Sequence, residues 1–148
     1  MDPAGASELL PDPCRLCGSQ RGVLRPTGWT CAICEWPVGD VPDADLARPR
    51  IDIVYYLRLG DRLKIGTTAN PRQRFSALPH DEIVAFERGD RALEQRRHRE
   101  FVELRLGSSE WFAFGDTLRA HVVALGAGVV DPWDRWALWV SEAIRMRG

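Results

Sequence analysis

The chain has 148 residues, 45% hydrophobic and 28% charged, with a formal net charge of −1. That length suits one compact domain or a small domain with an appendage, and the near-neutral balance excludes an overall electrostatic hold on nucleic acid or an acidic membrane. No apolar run approaches the roughly 20 residues of a membrane span, so no membrane partner is expected. The opening MDPAGASELLPDP lacks the basic region and apolar core of a signal peptide, which makes a cytoplasmic, reducing location the expectation. Charge is uneven: residues 1–49 carry four Arg against seven Asp/Glu, residues 50–115 twelve Arg/Lys against ten, and the remainder four against four.

In chain order, residues 1–13 read as an N-terminal tail. All four cysteines follow within residues 14–36: Cys14, Cys17, Cys31 and Cys34, a C-x2-C pair, thirteen residues, then a second C-x2-C pair. Each pair can wrap one turn around a metal, and together they complete a tetrahedral S4 shell suited to structural Zn²⁺. Between them, Val23-Leu24 read as a strand, Pro26-Thr27-Gly28 as a turn and Trp29-Thr30 as the return. Gly18 permits a tight knuckle. The segment looks like a zinc ribbon. A disulfide framework would need an oxidising compartment, and a redox pair would want one C-x2-C inside a βαβ unit. A segment this small has little core, so metal is expected to supply much of its folding energy. Such a ribbon can bind DNA, bind a protein or brace the next domain. Residues 37–50, with prolines, a glycine and alternating charges, read as a linker.

From residue 51 to 115 the pattern becomes sheet-like. IDIVYYLRL and RLKIGTT read as a hairpin around a Gly-Asp turn. NPRQRFSAL opens a helix with Asn70 as cap and Pro71 at its first position. EIVAFERG is a third strand, DRALEQRRHREFVELRL a long helix capped by Asp90, and SSEWFAF closes the unit. The order is ββαβα, of α/β (α+β) class. Residues 116–148 form a C-terminal extension in which Trp133, Trp136, Val140 and Ile144 recur at helical spacing. This stripe reads as core against a neighbouring element, or else as a surface for a partner or for self-association.

The middle segment resembles the GIY-YIG nuclease superfamily. IVYYL is similar to the first motif strand, with Tyr55 at its tyrosine. KIG (Lys64 to Gly66) is similar to the second, with Lys64 where a tyrosine usually stands, as in some restriction enzymes of the superfamily. Arg74, eight residues past Gly66, falls at the helix arginine. ALEQRRHREF followed by SSEWF is similar to a compact phage and bacterial branch with E-x3-H-x2-F and then E-W-F, which matches Glu94, His98, Glu110, Trp111 and Phe112. The resemblance covers about residues 51–114. It implies a DNA endonuclease in which Tyr55 activates water, Arg74 binds phosphate, and Glu94 holds Mg²⁺ or Mn²⁺.

Each of these residues also has an ordinary structural alternative. Lys64 is the one lysine beside nineteen arginines. Lysine, like tyrosine, has an ionisable group near pKa 10 on a long arm, whereas arginine stays protonated. A strand-edge lysine can equally snorkel to water. Glu94 and His98, four apart, share a helix face, where they could serve a cation or merely pair with each other. His98 is a candidate ligand, phosphate-orienting group or acid, and Glu110 a second metal carboxylate or a cap. Tyr55 and Tyr56 point to opposite faces of their strand, so one alone can be catalytic. Arg72, Arg91, Arg96, Arg97 and Arg99 are candidate contacts to nucleic acid, with DNA preferred over RNA, and a solvated helix face is the alternative. If the protein binds DNA, a nucleoid-associated location follows. A non-catalytic nucleic-acid-binding or adaptor module is the competing functional reading.

Overall fold

A computed structural model describes residues 7–43, 49–129 and 131–147. The chain divides into two compact units, one made of Met1–Pro49 with Trp133–Gly148 and the other of Arg50–Pro132. Residues 1–6 of the expected tail and 44–48 of the expected linker lie outside the described residues. Among the described residues no helix is long and apolar enough to cross a membrane.

The first unit holds a three-stranded antiparallel sheet in the order β1 (Ser7–Leu9), β2 (Arg21–Arg25), β3 (Gly28–Cys31). The β2–β3 hairpin is the one its turn residues predict, with Val23 opposite Thr30. β1 is an addition: Ser7 pairs with Val23 and Leu9 with Arg21, so part of the expected tail belongs to the sheet. The start of the expected linker is tied down too, since the Val38 amide donates to the Trp29 carbonyl at 2.9 Å. Helix α4 (Pro132–Arg147) completes this unit. Arg21 Nε donates to Asp134 Oδ2 at 2.7 Å, tying hairpin to helix, and Trp133 meets Trp136 edge to face at 5.7 Å. The buried stripe of α4 runs through Ala137, Val140 and Ser141.

The second unit is a four-stranded antiparallel sheet in the order β6-β4-β5-β7. Its strands are β4 (Ile53–Leu59), β5 (Arg62–Thr68), β6 (Glu82–Arg88) and β7 (Trp111–Ala113). Its helices are α1 (Pro71–Ala77), α2 (Arg91–Glu100) and α3 (Asp116–Leu125), with a short 3-10 turn at Val102–Leu104. Asp90 caps α2 through Ala92 N at 3.0 Å, as the sequence predicts. Asn70 precedes α1 but spends its side chain on Gln73 Oε1 instead of an amide. One sheet face carries the core of Val54, Tyr56, Leu63, Ile65, Ala85, Phe101, Phe112, Leu118 and Val122. Leu118 and Val122 come from α3, so this helix packs with the middle unit although it lies within the 116–148 extension. Among the described residues the fold is mixed α/β, with two antiparallel sheets and four α-helices.

Candidate metal centre and candidate active site

The four cysteines form two matching knuckles. In the first, Gly18 N donates to the Cys14 carbonyl at 2.9 Å, and Leu16 N lies 3.4 Å from Cys14 Sγ. In the second, Glu35 N donates to the Cys31 carbonyl at 3.0 Å, and Ile33 N lies 3.4 Å from Cys31 Sγ. Each turn closes in the left-handed region, at Gly18 (φ 84°) and Glu35 (φ 66°). A glycine suits that conformation and a glutamate is strained in it. The sequence signalled the first closing residue and gave no sign of the second. All four Sγ atoms lie within 4.8 Å of one another, and they could hold a metal ion such as zinc. Mutual hydrogen bonding lowers the Cys14 thiol and raises those of Cys17 and Cys34, so the four sulfurs titrate as one group. Among the described residues no other group of three or more His, Cys, Asp or Glu side chains converges in this way.

In the second unit, Tyr55, Thr67, Arg74, Arg91, Glu94, Gln95, His98, Arg105, Ser108 and Glu110 line one cleft of ≈ 360 Å³. Its floor depends on Gly66. Tyr55 sits directly opposite Gly66 in the β4–β5 register, and its phenol lies over the missing side chain. A Cβ on Gly66 would stand 2.4 Å from the Tyr55 hydroxyl. The ring meets Phe75 edge to face at 5.1 Å, and Phe75 in turn stacks on Phe86. Arg74, from α1, reaches the Tyr55 hydroxyl with Nε at 3.5 Å. Burial pushes the Tyr55 phenol up, and Arg74 pulls it back.

Glu94 and His98, one turn apart on α2, are 6% and 5% exposed. His98 Nε2 donates to the Ile65 carbonyl at 2.8 Å and lies 3.8 Å from Glu94 Oε1. The histidine therefore caps an edge of β5 as well as flanking Glu94. Burial, then repulsion from Glu110, pushes the Glu94 carboxyl up. Lys64 does not line the cleft. It stands at the rim, where its ammonium lies 3.5 Å from Glu110 Oε2.

The loop that carries Glu110 is closely braced. Arg105 Nε donates to the Ser109 carbonyl at 2.7 Å and Nη2 to the Ser108 carbonyl at 3.1 Å. Leu106 N donates to the Trp111 carbonyl, and Ile65 N to the Glu110 carbonyl. Sequence reasoning missed Arg105, because no periodicity marks an arginine whose partners are backbone carbonyls of a loop.

The arginines divide by place. Arg91 lines the cleft, while Arg72, Arg96 and Arg99 are exposed on their helices. Arg97 goes elsewhere: it pairs with both oxygens of Glu87 and with Glu100 at 2.7 Å. Glu87 also accepts from Tyr56 at 2.9 Å, and His121 Nε2 lies 3.0 Å from the same hydroxyl. Burial alone would raise the Glu87 carboxyl, but hydrogen bonds from His121, Arg97 and Tyr56 win and hold it at about 2. Arg97 thus serves a polar network behind the sheet and not the cleft. Compared with protein-family models, with curated proteins and with solved structures, the chain matches none of them.

Proposed function

We propose that the Arg50–Pro132 unit is a metal-dependent endonuclease of GIY-YIG type that hydrolyses phosphodiester bonds of DNA, and that the cysteine unit is a zinc ribbon holding nucleic acid or a partner. One observation carries this reading. Tyr55, Arg74, Glu94, His98 and Glu110, from one strand, two helices and one loop far apart in sequence, line a single cleft with Lys64 at its rim. A chance scatter of ordinary surface and core residues has no reason to converge.

The residues divide the chemistry among them. The Tyr55 hydroxyl is the proton-sharing group for an attacking water, and Arg74 beside it offsets negative charge on phenol and phosphate. A planar guanidinium also matches two phosphoryl oxygens at once. Glu94 is the carboxylate that would hold Mg²⁺ or Mn²⁺. Its carboxyl is pushed up by burial and then by Glu110, the environment of an anion short of a counter-cation, and such ions commonly bind through one or two carboxylates plus water. When bound, the cation supplies charge to the phosphoryl oxygens. His98 holds the Glu94 face of α2 against β5 through the Ile65 carbonyl.

The second reading, a non-catalytic binding or adaptor module, is favoured by the engagement of Lys64 with Glu110 and of His98 Nε2 with backbone. A nicking assay on supercoiled plasmid, with Mg²⁺ or Mn²⁺ and with chelator, separates the two. Divalent-dependent nicking that Glu94→Ala reduces 100-fold or more, the scale of losing a catalytic group, supports the nuclease. Binding without any nicking by the wild-type protein supports the module.

A further inference from the structure

We infer that the β5–β7 margin of the sheet beside the cleft is a binding track for a single-stranded segment of nucleic acid, with Trp111 as the platform on which an unpaired base stacks. This rests on the reading of the cleft as a phosphodiester site and names the kind of strand that enters it.

Alternation along β5 puts Arg62, Lys64 and Gly66 on one face, at steps of roughly 7 Å. Gly66 is opposite Tyr55, Lys64 is opposite Trp111, and Arg62 is opposite Ala113. A straight path therefore runs from the Tyr55 hydroxyl in the cleft, past the Lys64–Glu110 rim, to Arg62. Trp111 lies within cation–π distance of both basic groups: Lys64 Nζ is 5.7 Å from its ring centroid and the Arg62 guanidinium carbon 5.3 Å. Arg62 is exposed, and among the described residues it makes no ion pair. Lys64 is balanced by Glu110, while Asp61 stands at the hairpin turn next to Arg62.

Cations flanking a partly exposed indole at the margin of a sheet form a surface for a polyanion with flat faces. Phosphates take the cations and bases take the ring, at about 1–3 kcal/mol per stacked base. A blunt duplex can satisfy the cations but presents no free base face to the indole, because its bases already stack on each other. The surface therefore favours a substrate with an unpaired base next to the cut, such as an overhang, flap or loop.

The test is equilibrium binding by fluorescence anisotropy, using full-length Glu94→Ala protein without divalent cation. The probes are a single-stranded oligonucleotide, a blunt duplex of the same sequence and a duplex with a single-stranded overhang. Single strand and overhang should bind more tightly than blunt duplex. Trp111→Leu should lose roughly 10-fold on the first two and leave duplex binding unchanged, which also shows that the variant is folded. Trp111→Phe should recover most of the loss, and Arg62→Ser should lower the salt slope by about 1. Equal binding of all three probes, an equal loss on all three in Trp111→Leu, or no binding of any probe overturns the inference. Discrimination without cleavage by the wild-type protein would sink the nuclease reading and leave the track standing. Cleavage with no such discrimination does the reverse.

Discussion

Tyr55 and Tyr56 are neighbours on one strand with different environments. Tyr55 lies over Gly66 toward the cleft, while Tyr56 is held behind the sheet by Glu87 and His121. Strand alternation makes their separation legible in the sequence; which of them meets a glycine depends on register, and register is a tertiary fact. Gly66→Ala should displace the Tyr55 ring, abolish cleavage and cost about 1–3 kcal/mol of stability, read by denaturant unfolding alongside the nicking assay. The two carboxylates have opposite pH signatures. Glu87 is depressed from 4.5 to about 2, so its contribution is complete above its unfolded value and is lost as pH falls toward 2. Glu87→Gln should destabilise by on the order of 3 kcal/mol at neutral pH and flatten the acid limb of a stability–pH curve. Glu94 is raised, so the fold holds its proton more tightly than the unfolded chain does, and stability falls as pH rises through the folded value. Glu94→Gln should therefore unfold at a higher denaturant midpoint than wild type at pH 7, with a difference that shrinks on acidification. Stability gained where activity is lost is the mark of a group kept for function.

At the scale of elements, the cysteine spacing, the hairpin, the paired-strand opening of the middle unit and the α2 cap were all legible. Each is a local pattern with its own period or turn chemistry. β1 was not, because three residues carry no period and pair only through their backbone. The second knuckle hid in the same way: nothing in Cys31-Ala32-Ile33-Cys34-Glu35 signals a left-handed glutamate, whereas Gly18 announces the equivalent turn. Glu35→Gly should relieve that strain and stabilise the cysteine unit by up to about 1 kcal/mol. Resistance of residues 14–34 to chelator, followed by amide hydrogen exchange, is the measurement, and faster exchange in Glu35→Gly would contradict it. Protein purified under reducing conditions without chelator should carry about one zinc per chain by elemental analysis. Cys14→Ser should lose the metal and loosen the same segment.

At the scale of the molecule, the sequence divides at its proline-rich stretch and says less about where the middle unit stops. Its strongest signal, the aromatic motif at Glu110-Trp111-Phe112, ends before α3. Yet Leu118 and Val122 are buried in the core with Tyr56 and Phe112. Amphipathic helices look alike in sequence whichever body they cover, so α4 could be found but not assigned, and α3 (Asp116–Leu125) went unread within the extension. A fragment spanning residues 50–132 should therefore fold and unfold cooperatively. A fragment ending at 115 strips two buried side chains from the core and should be molten or insoluble. Near-UV circular dichroism distinguishes them, and a well-folded 50–115 fragment would refute the assignment of α3. Stripping zinc from the whole protein should leave the near-UV signature of the 50–132 fragment intact.

The division places one unit inside the other along the chain: residues up to Pro49 and from Trp133 onward make one body, and everything between them makes the second. Synthesis runs in one direction, so Asp134 leaves the ribosome only after the whole of the inserted unit, long after Arg21, its partner across 113 positions of sequence. The four cysteines emerge early and can take metal at once, and the inserted unit can fold as soon as α3 is out. The helix that closes the first body arrives last. A released chain that ends at residue 132 should thus take metal at its cysteines and form the cleft while its first unit lacks α4.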